Sequence, residues 1–161
     1  MLASALVAGI VVGGALGGDV RRLGELRIRW LPLVVVGIAL HLAALLPIAA
    51  DAQHYFYVVS LWSLALASVR NFAQAGAGLM GAGIALNALV VTSSFGVMPV
   101  SAEALALSHT APPADPLHVV AQESPVLADV IPLPLGVYSP GDVLLACGAF
   151  LLVVSVMRGA K

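Results

Sequence analysis

The sequence predicts an all-α membrane protein of five transmembrane helices, N-terminus outside and C-terminus cytoplasmic, with a proline-rich outer cap between helices 4 and 5. Three observations predict it. The 161 residues are 61% hydrophobic and 9% charged, with a mean hydropathy of +1.06, whereas an ordinary soluble domain carries roughly 25% charged residues. Five apolar segments approach the roughly 20 residues that a membrane crossing needs. All seven Lys and Arg fall in stretches that five crossings would place on one side, as cytoplasmic loops do.

The elements follow in order. Span one, residues 2–17, has no Lys or Arg ahead of it and reads as a retained span, since a signal peptide begins with a charged region. Arg21, Arg22, Arg27 and Arg29 lead into span two, residues 30–50, in which Pro32 marks the first turn and Pro47 the fraying outer end. Span three covers 55–70 and ends on Arg70; span four covers 72–92. The outer cap, 96–139, precedes span five, 140–157, which Arg158 and Lys161 follow. From Asn71 to Met157 there is no Lys or Arg, as a translocated segment requires. Trp30 on the inner side and Tyr55, Tyr57, Phe95 and Tyr138 on the outer side stand where aromatic belts belong.

The cap has parts of its own. Ser101 to Ser108 is expected as a short helix on the membrane surface, with Leu105 toward lipid and Glu103 toward water. Ala111 to Pro116, APPADP, must be extended, because proline lacks the amide a helix needs. Ser124 and Pro125 read as N-cap and first residue of a turn running through Asp129, and IPLPLG as an extended strap across the helix ends. In SPGD, Ser139 can cap, Pro140 fits the first helical position, and Asp142 falls where its carboxylate reaches back to free amides.

The Arg-rich first loop running into Trp30, Asn87, GVMPVSAEAL at Gly96 to Leu105, LADVIPLP at Leu127 to Pro134, and SPGD together resemble a bacterial family of small integral membrane proteins of unknown function. The resemblance covers most of the chain and is most specific in MPVS and in the Asp, Pro and Gly-Asp positions after it. It implies no activity. It implies an architecture in which the outer cap is a defining part of the fold.

The candidate chemistry is sparse. His41 lies roughly 16 Å along a helix from Trp30, a depth that invites an axial ligand for haem or pigment, a proton relay, or a neutral imidazole bonding between helices. A second intramembrane histidine is lacking, since His54, His109 and His118 fall in outer segments. Asn87, Pro99, Asp129, Ser139 and Asp142 read as anchors of the outer cap. Asp129 and Asp142 would suit acid and base work only if they met in one pocket. His109, Asp115, His118 and Glu123 have no compact metal-ligand spacing, so no metal or catalytic set is assigned. Gly9, Gly13 and Gly17, and Ala77, Gly81 and Ala85, form small-residue faces for packing within the chain or against a partner.

Cys147 is the single cysteine, which excludes an intrachain disulfide and a CxxC site. A net charge of -1 supports no nucleic-acid partner. Walker, HExxH and serine-elbow motifs are absent. The expectation is a noncatalytic accessory or assembly subunit of a larger bacterial inner-membrane complex, with a respiratory or photosynthetic electron-transfer complex as candidate host. Its expected partners are the lipid bilayer and other membrane subunits, with a lipid, quinone or pigment under the cap as candidate ligand. The alternative is a small oligomeric transporter or channel with Asn87 and His41 facing its path.

Overall fold

Runs rich in Ala and Leu favour helix, and proline is tolerated in them only in the first turn. The computed structural model, which describes residues 1–46 and 52–159, follows both rules. Its helices are α1 (Leu2–Ala15), α2 (Leu31–Ala44), α3 (Gln53–Arg70), α4 (Ala77–Ser93), α5 (Ala102–Ser108) and α6 (Pro140–Arg158), with a 3-10 helix at Val20–Glu25. Pro32 and Pro140 stand in the first turns of α2 and α6. The strands are β1 (Met98–Ser101), β2 (His118–Ala121), β3 (Ile131–Leu133) and β4 (Gly136–Tyr138).

The long helices pack in the spatial order α2, α3, α4, α6, α1. Small residues set their spacing. A Cβ on Gly9 would stand 3.0 Å from Val153 Cβ and one on Gly13 2.8 Å from Met157 Sδ, so α1 lies hard against α6. Between α4 and α6 the backbones themselves meet: a Cβ on Gly83 would collide with the Gly141 carbonyl. Gly81 faces Ser68 of α3, Ala77 is buried, and Ala85 packs against the core, whereas Gly17 faces open space just beyond the end of α1. Tyr57, Leu61, Ile84, Val91, Met98 and Leu117 belong to that core, which joins α3 and α4 to the cap.

The structure corrects the expected membrane architecture. A helix lies in each of the five apolar intervals, but among the described residues only α6 is long and apolar enough to cross a membrane, by length and composition alone. α1 and α2 have 14 residues each and α4 has 17, extending roughly 21 to 26 Å against a hydrocarbon layer of roughly 30 Å. α3 has 18 residues but carries Gln53, His54 and Arg70 at its ends, and does not qualify. α6 itself packs between α1 and α4. The helices form one tightly packed bundle with two small sheets, not five transmembrane spans. The inside-outside orientation, the inner-membrane location, the bilayer and membrane-subunit partners, and the accessory-subunit and transporter readings lose their basis with it. Pro47 and Lys161 lie outside the described residues.

The cap is built on pairing. β1 and β2 run parallel, Met98 opposite His118 and Ser101 opposite Ala121, and Val100 bridges to Asp129. α5 starts on Ser101, whose side chain accepts from the Ala104 amide. Residues 131–136, expected as a strap, instead form most of a hairpin in which β3 and β4 pair antiparallel. Ser124 caps no helix: its hydroxyl is buried without a hydrogen-bond partner among the described residues, and a turn closed by the Ala128 amide on the Pro125 carbonyl follows it. At the α6 start the Ser139 hydroxyl accepts from the Asp142 amide at 2.9 Å, and Asp142 Oδ2 accepts from the Ser139 amide at 3.1 Å.

Candidate functional site

The tetrad DPLH, residues 115–118, folds on its own aspartate. Asp115 Oδ1 accepts from the Leu117 amide at 3.0 Å and from His118 Nδ1 at 2.7 Å. A carboxylate only accepts, so Nδ1 carries the proton and the imidazole is fixed with Nε2 directed away. Pairing of β1 with β2 then brings His118 toward Asp129. The Asp129 amide donates to the Pro99 carbonyl at 3.1 Å and its carbonyl accepts from the Ser101 amide at 2.9 Å. His118 Nε2 lies 4.0 Å from Asp129 Oδ2.

Asp129 is 5% exposed, and its Oδ1 is buried with no hydrogen-bond partner among the described residues. Burial, then the nearby Asp142 carboxylate, push its carboxyl up to about 7, against a smaller opposing pull from His118. Burial alone would raise Asp115 too, but its hydrogen bond from His118 and the histidine's charge bring it below the ordinary carboxylate range. Two carboxyls a few residues apart in space are thus driven in opposite directions. Strongly divergent environments of this kind concentrate at functional sites.

Tyr57 of α3 packs beside both His118 and His41. Its ring centroid is 6.5 Å from that of His118 and 5.4 Å from that of His41. Burial, then Asp129, Asp142 and Asp115, hold its phenol protonated well above the usual range. Ser60 donates to the Tyr57 carbonyl at 2.7 Å, so the 3.4 Å contact between Ser60 Oγ and His41 Nδ1 has the imidazole donating. Burial, then repulsion from His118, lower the His41 pKa. His41 thus sits as a neutral imidazole bonded between α2 and α3.

Beside His118 opens a cleft of about 260 Å³ lined by Val100, Thr110, Ala111, Pro113, Asp115, His118, Asp129 and Leu135 through Tyr138. Asp142 does not line it. Its Oδ1 accepts from Asn87 Nδ2 at 2.9 Å, while Ser139 Oγ donates to Asn87 Oδ1 at 2.8 Å. Asn87 therefore ties α4 to the side chains that open α6. Asp129 and Asp142 interact electrostatically, yet only Asp129 faces the cleft. His109 takes a left-handed backbone at the end of α5, and His54 Nδ1 lies 3.3 Å from the Gly96 carbonyl. Among the described residues no group of three or more His, Cys, Asp or Glu could hold a metal.

Sequence reasoning named Asp115, His118 and Asp129 but did not join them, and it placed Tyr57 in an aromatic belt. The spacing of Asp115 and His118 is a readable local signal, since a short polar side chain bonds amides two residues on. Tyr57 gives no such signal: its role arises from packing across elements.

Residues 25–154 match a family of unknown function, DUF5317. The match supports neither the multi-pass membrane architecture nor the motif set that the resemblance implied. No curated protein and no solved structure matches the chain.

Proposed function

The chain belongs to the DUF5317 family, whose function is unknown, and from that premise we propose that it is a noncatalytic binding module whose cap cleft takes a small ligand. One observation carries the reading: Asp129 lines a cleft of about 260 Å³ while one of its carboxyl oxygens is buried without a partner. Buried polar atoms in folded proteins are almost always paired, so a maintained exception costs stability. A cleft that joins apolar walls to a few convergent polar groups has the form of a small-molecule site. Asp142 supports binding over paired-carboxylate chemistry, because it is engaged by Ser139 and Asn87 outside the cleft.

The test is a thermal-shift panel of small amines, alcohols and carboxylates on the natural chain and on Ala111→Trp, a substitution at an exposed cleft-lining position. At about 100 times its dissociation constant a ligand adds roughly 2.7 kcal/mol. At least one class should raise the melting temperature of the natural chain and leave A111W unmoved. No shift with any class, or equal shifts in both proteins, would contradict the reading.

A further inference from the structure

The cleft's chemistry narrows the ligand class, an inference that rests on the binding reading above. Its carboxyl groups dominate, while Thr110 and Tyr138 add hydroxyls. Asp115 and Asp129 line it, and Asp142 adds its field from the start of α6. His118 of β2 is the basic group facing Asp129, but its Nδ1 is already committed to Asp115. Tyr57 of α3, packed beside His118, holds a phenol that burial and then those carboxylates keep neutral. No Lys or Arg occurs between Asn71 and Met157; the cation beside the rim is the Met1 ammonium, 3.4 Å from the Tyr138 hydroxyl. An anion would therefore meet repulsion from the Asp115 and Asp142 carboxylates.

The walls specify the rest. Val100, Pro113, Leu135 and Val137 present apolar surface around the carboxyl group. A bare inorganic cation would leave that surface unfilled. A carboxylate's χ2 well is broad and two-fold, so a small rotation brings the unpaired oxygen toward the cleft.

We propose that the ligand is a primary ammonium bearing a short apolar chain, its nitrogen seated on Asp129 and its chain against Val100, Leu135 and Val137, taken up in exchange for one proton. The balance is simple. The carboxylic O–H of Asp129 breaks, its proton passes to a buffer base, and the resulting carboxylate accepts an N–H from the ammonium. No electron changes hands. Burial and Asp142 favour the protonated form of Asp129 near neutrality, so the exchange falls in an accessible pH range.

The experiment is isothermal titration calorimetry with n-butylammonium, n-butanol and butyrate, in two buffers of different ionisation enthalpy, on the natural chain, D129N and A111W. The expected result is binding of n-butylammonium alone. It should release close to one proton at about pH 6, falling toward none above about pH 8, and weaken about tenfold per pH unit below about 7. D129N should weaken it by at least about tenfold, the size of a lost charge-assisted hydrogen bond, and A111W should abolish it. The proton count is read on the natural chain, so the test survives a failure of D129N to fold. Butylammonium binding with no proton release, or undiminished in D129N, would overturn the proposal. Binding of n-butanol or butyrate that A111W blocks would overturn the ammonium assignment while leaving the binding module intact. Binding of none of the three would overturn both. Displacement of butylammonium by sodium or calcium chloride at matched ionic strength would assign the seat to an inorganic cation instead.

Discussion

His118 Nε2 and Asp129 Oδ2 face each other at 4.0 Å, just beyond hydrogen-bonding reach, although His118 Nδ1 is bonded to Asp115 and the Asp129 backbone is paired with Pro99 and Ser101. With Nδ1 committed to Asp115, Nε2 of a neutral His118 is an acceptor, and a protonated Asp129 at 4.0 Å stops short of donating to it. The cap thus holds a carboxylic acid in a position that another group can complete.

The first prediction is a stability slope with pH. The Asp129 carboxyl is raised from 3.8 to about 7, so between those values the folded chain holds a proton that the unfolded chain has lost. Its stabilising contribution is whole below about pH 4 and is lost as pH rises through about 7, on the order of 4 kcal/mol in all. Asp115 acts oppositely: its pKa is depressed, so its contribution is present above 3.8 and lost as pH falls through its folded value. The difference between the natural chain and D129N in chemical denaturation isolates the first effect. D129N should lose the decline between about pH 4 and 7.

The second concerns the knot at the start of α6. Ser139 is fully buried, and its hydroxyl donates to Asn87. N87A should strand that donor and one oxygen of Asp142, at a cost of about 1–3 kcal/mol in denaturant unfolding. S139A removes the N-cap as well and should cost at least as much.

Glycine substitutions should divide by position. G83A places a methyl into the Gly141 carbonyl and the Leu145 amide, forcing α4 and α6 apart at a cost of roughly 1–3 kcal/mol. Gly14 has nothing within 4 Å of a built Cβ, and G14A should stabilise by up to about 1 kcal/mol through helix propensity. Melting temperatures of the two variants should move in opposite directions.

How much of this was legible in the sequence varies with the range of the interaction. The capping box at SPGD was readable because its residues lie within one turn and their chemistry is local. Helix positions were readable because apolar runs have few alternatives. Their membrane assignment was not, because composition counts apolar residues without showing where each helix ends, and α1, α2 and α4 stop short of a crossing. The expected Ser124 cap failed because the residues after it close a turn from the Ala128 amide to the Pro125 carbonyl and form no helix. The joining of Asp129 to His118 depends on a parallel strand pair closed over residues 98–121, and strand pairing at that separation leaves no periodic mark.

The fourth prediction tests the opposite end of the bundle. Asn71 accepts from the Arg29 amide at 2.8 Å and donates to the Arg29 carbonyl at 2.9 Å, while Gln74 donates to the Arg27 carbonyl at 2.6 Å. N71A should release the segment ahead of α2, and limited trypsin digestion should cut after Arg27 and Arg29 several-fold faster. Equal rates in both proteins would show that other contacts hold the segment.

The most direct test of the cap site is a ¹³C-carboxyl NMR titration of Asp129, assigned by comparison with D129N, in the absence and presence of n-butylammonium. The account predicts a midpoint near 7 for the free protein that moves downward as the ammonium binds. A midpoint at the ordinary aspartate value of about 4, unmoved by n-butylammonium, would contradict it.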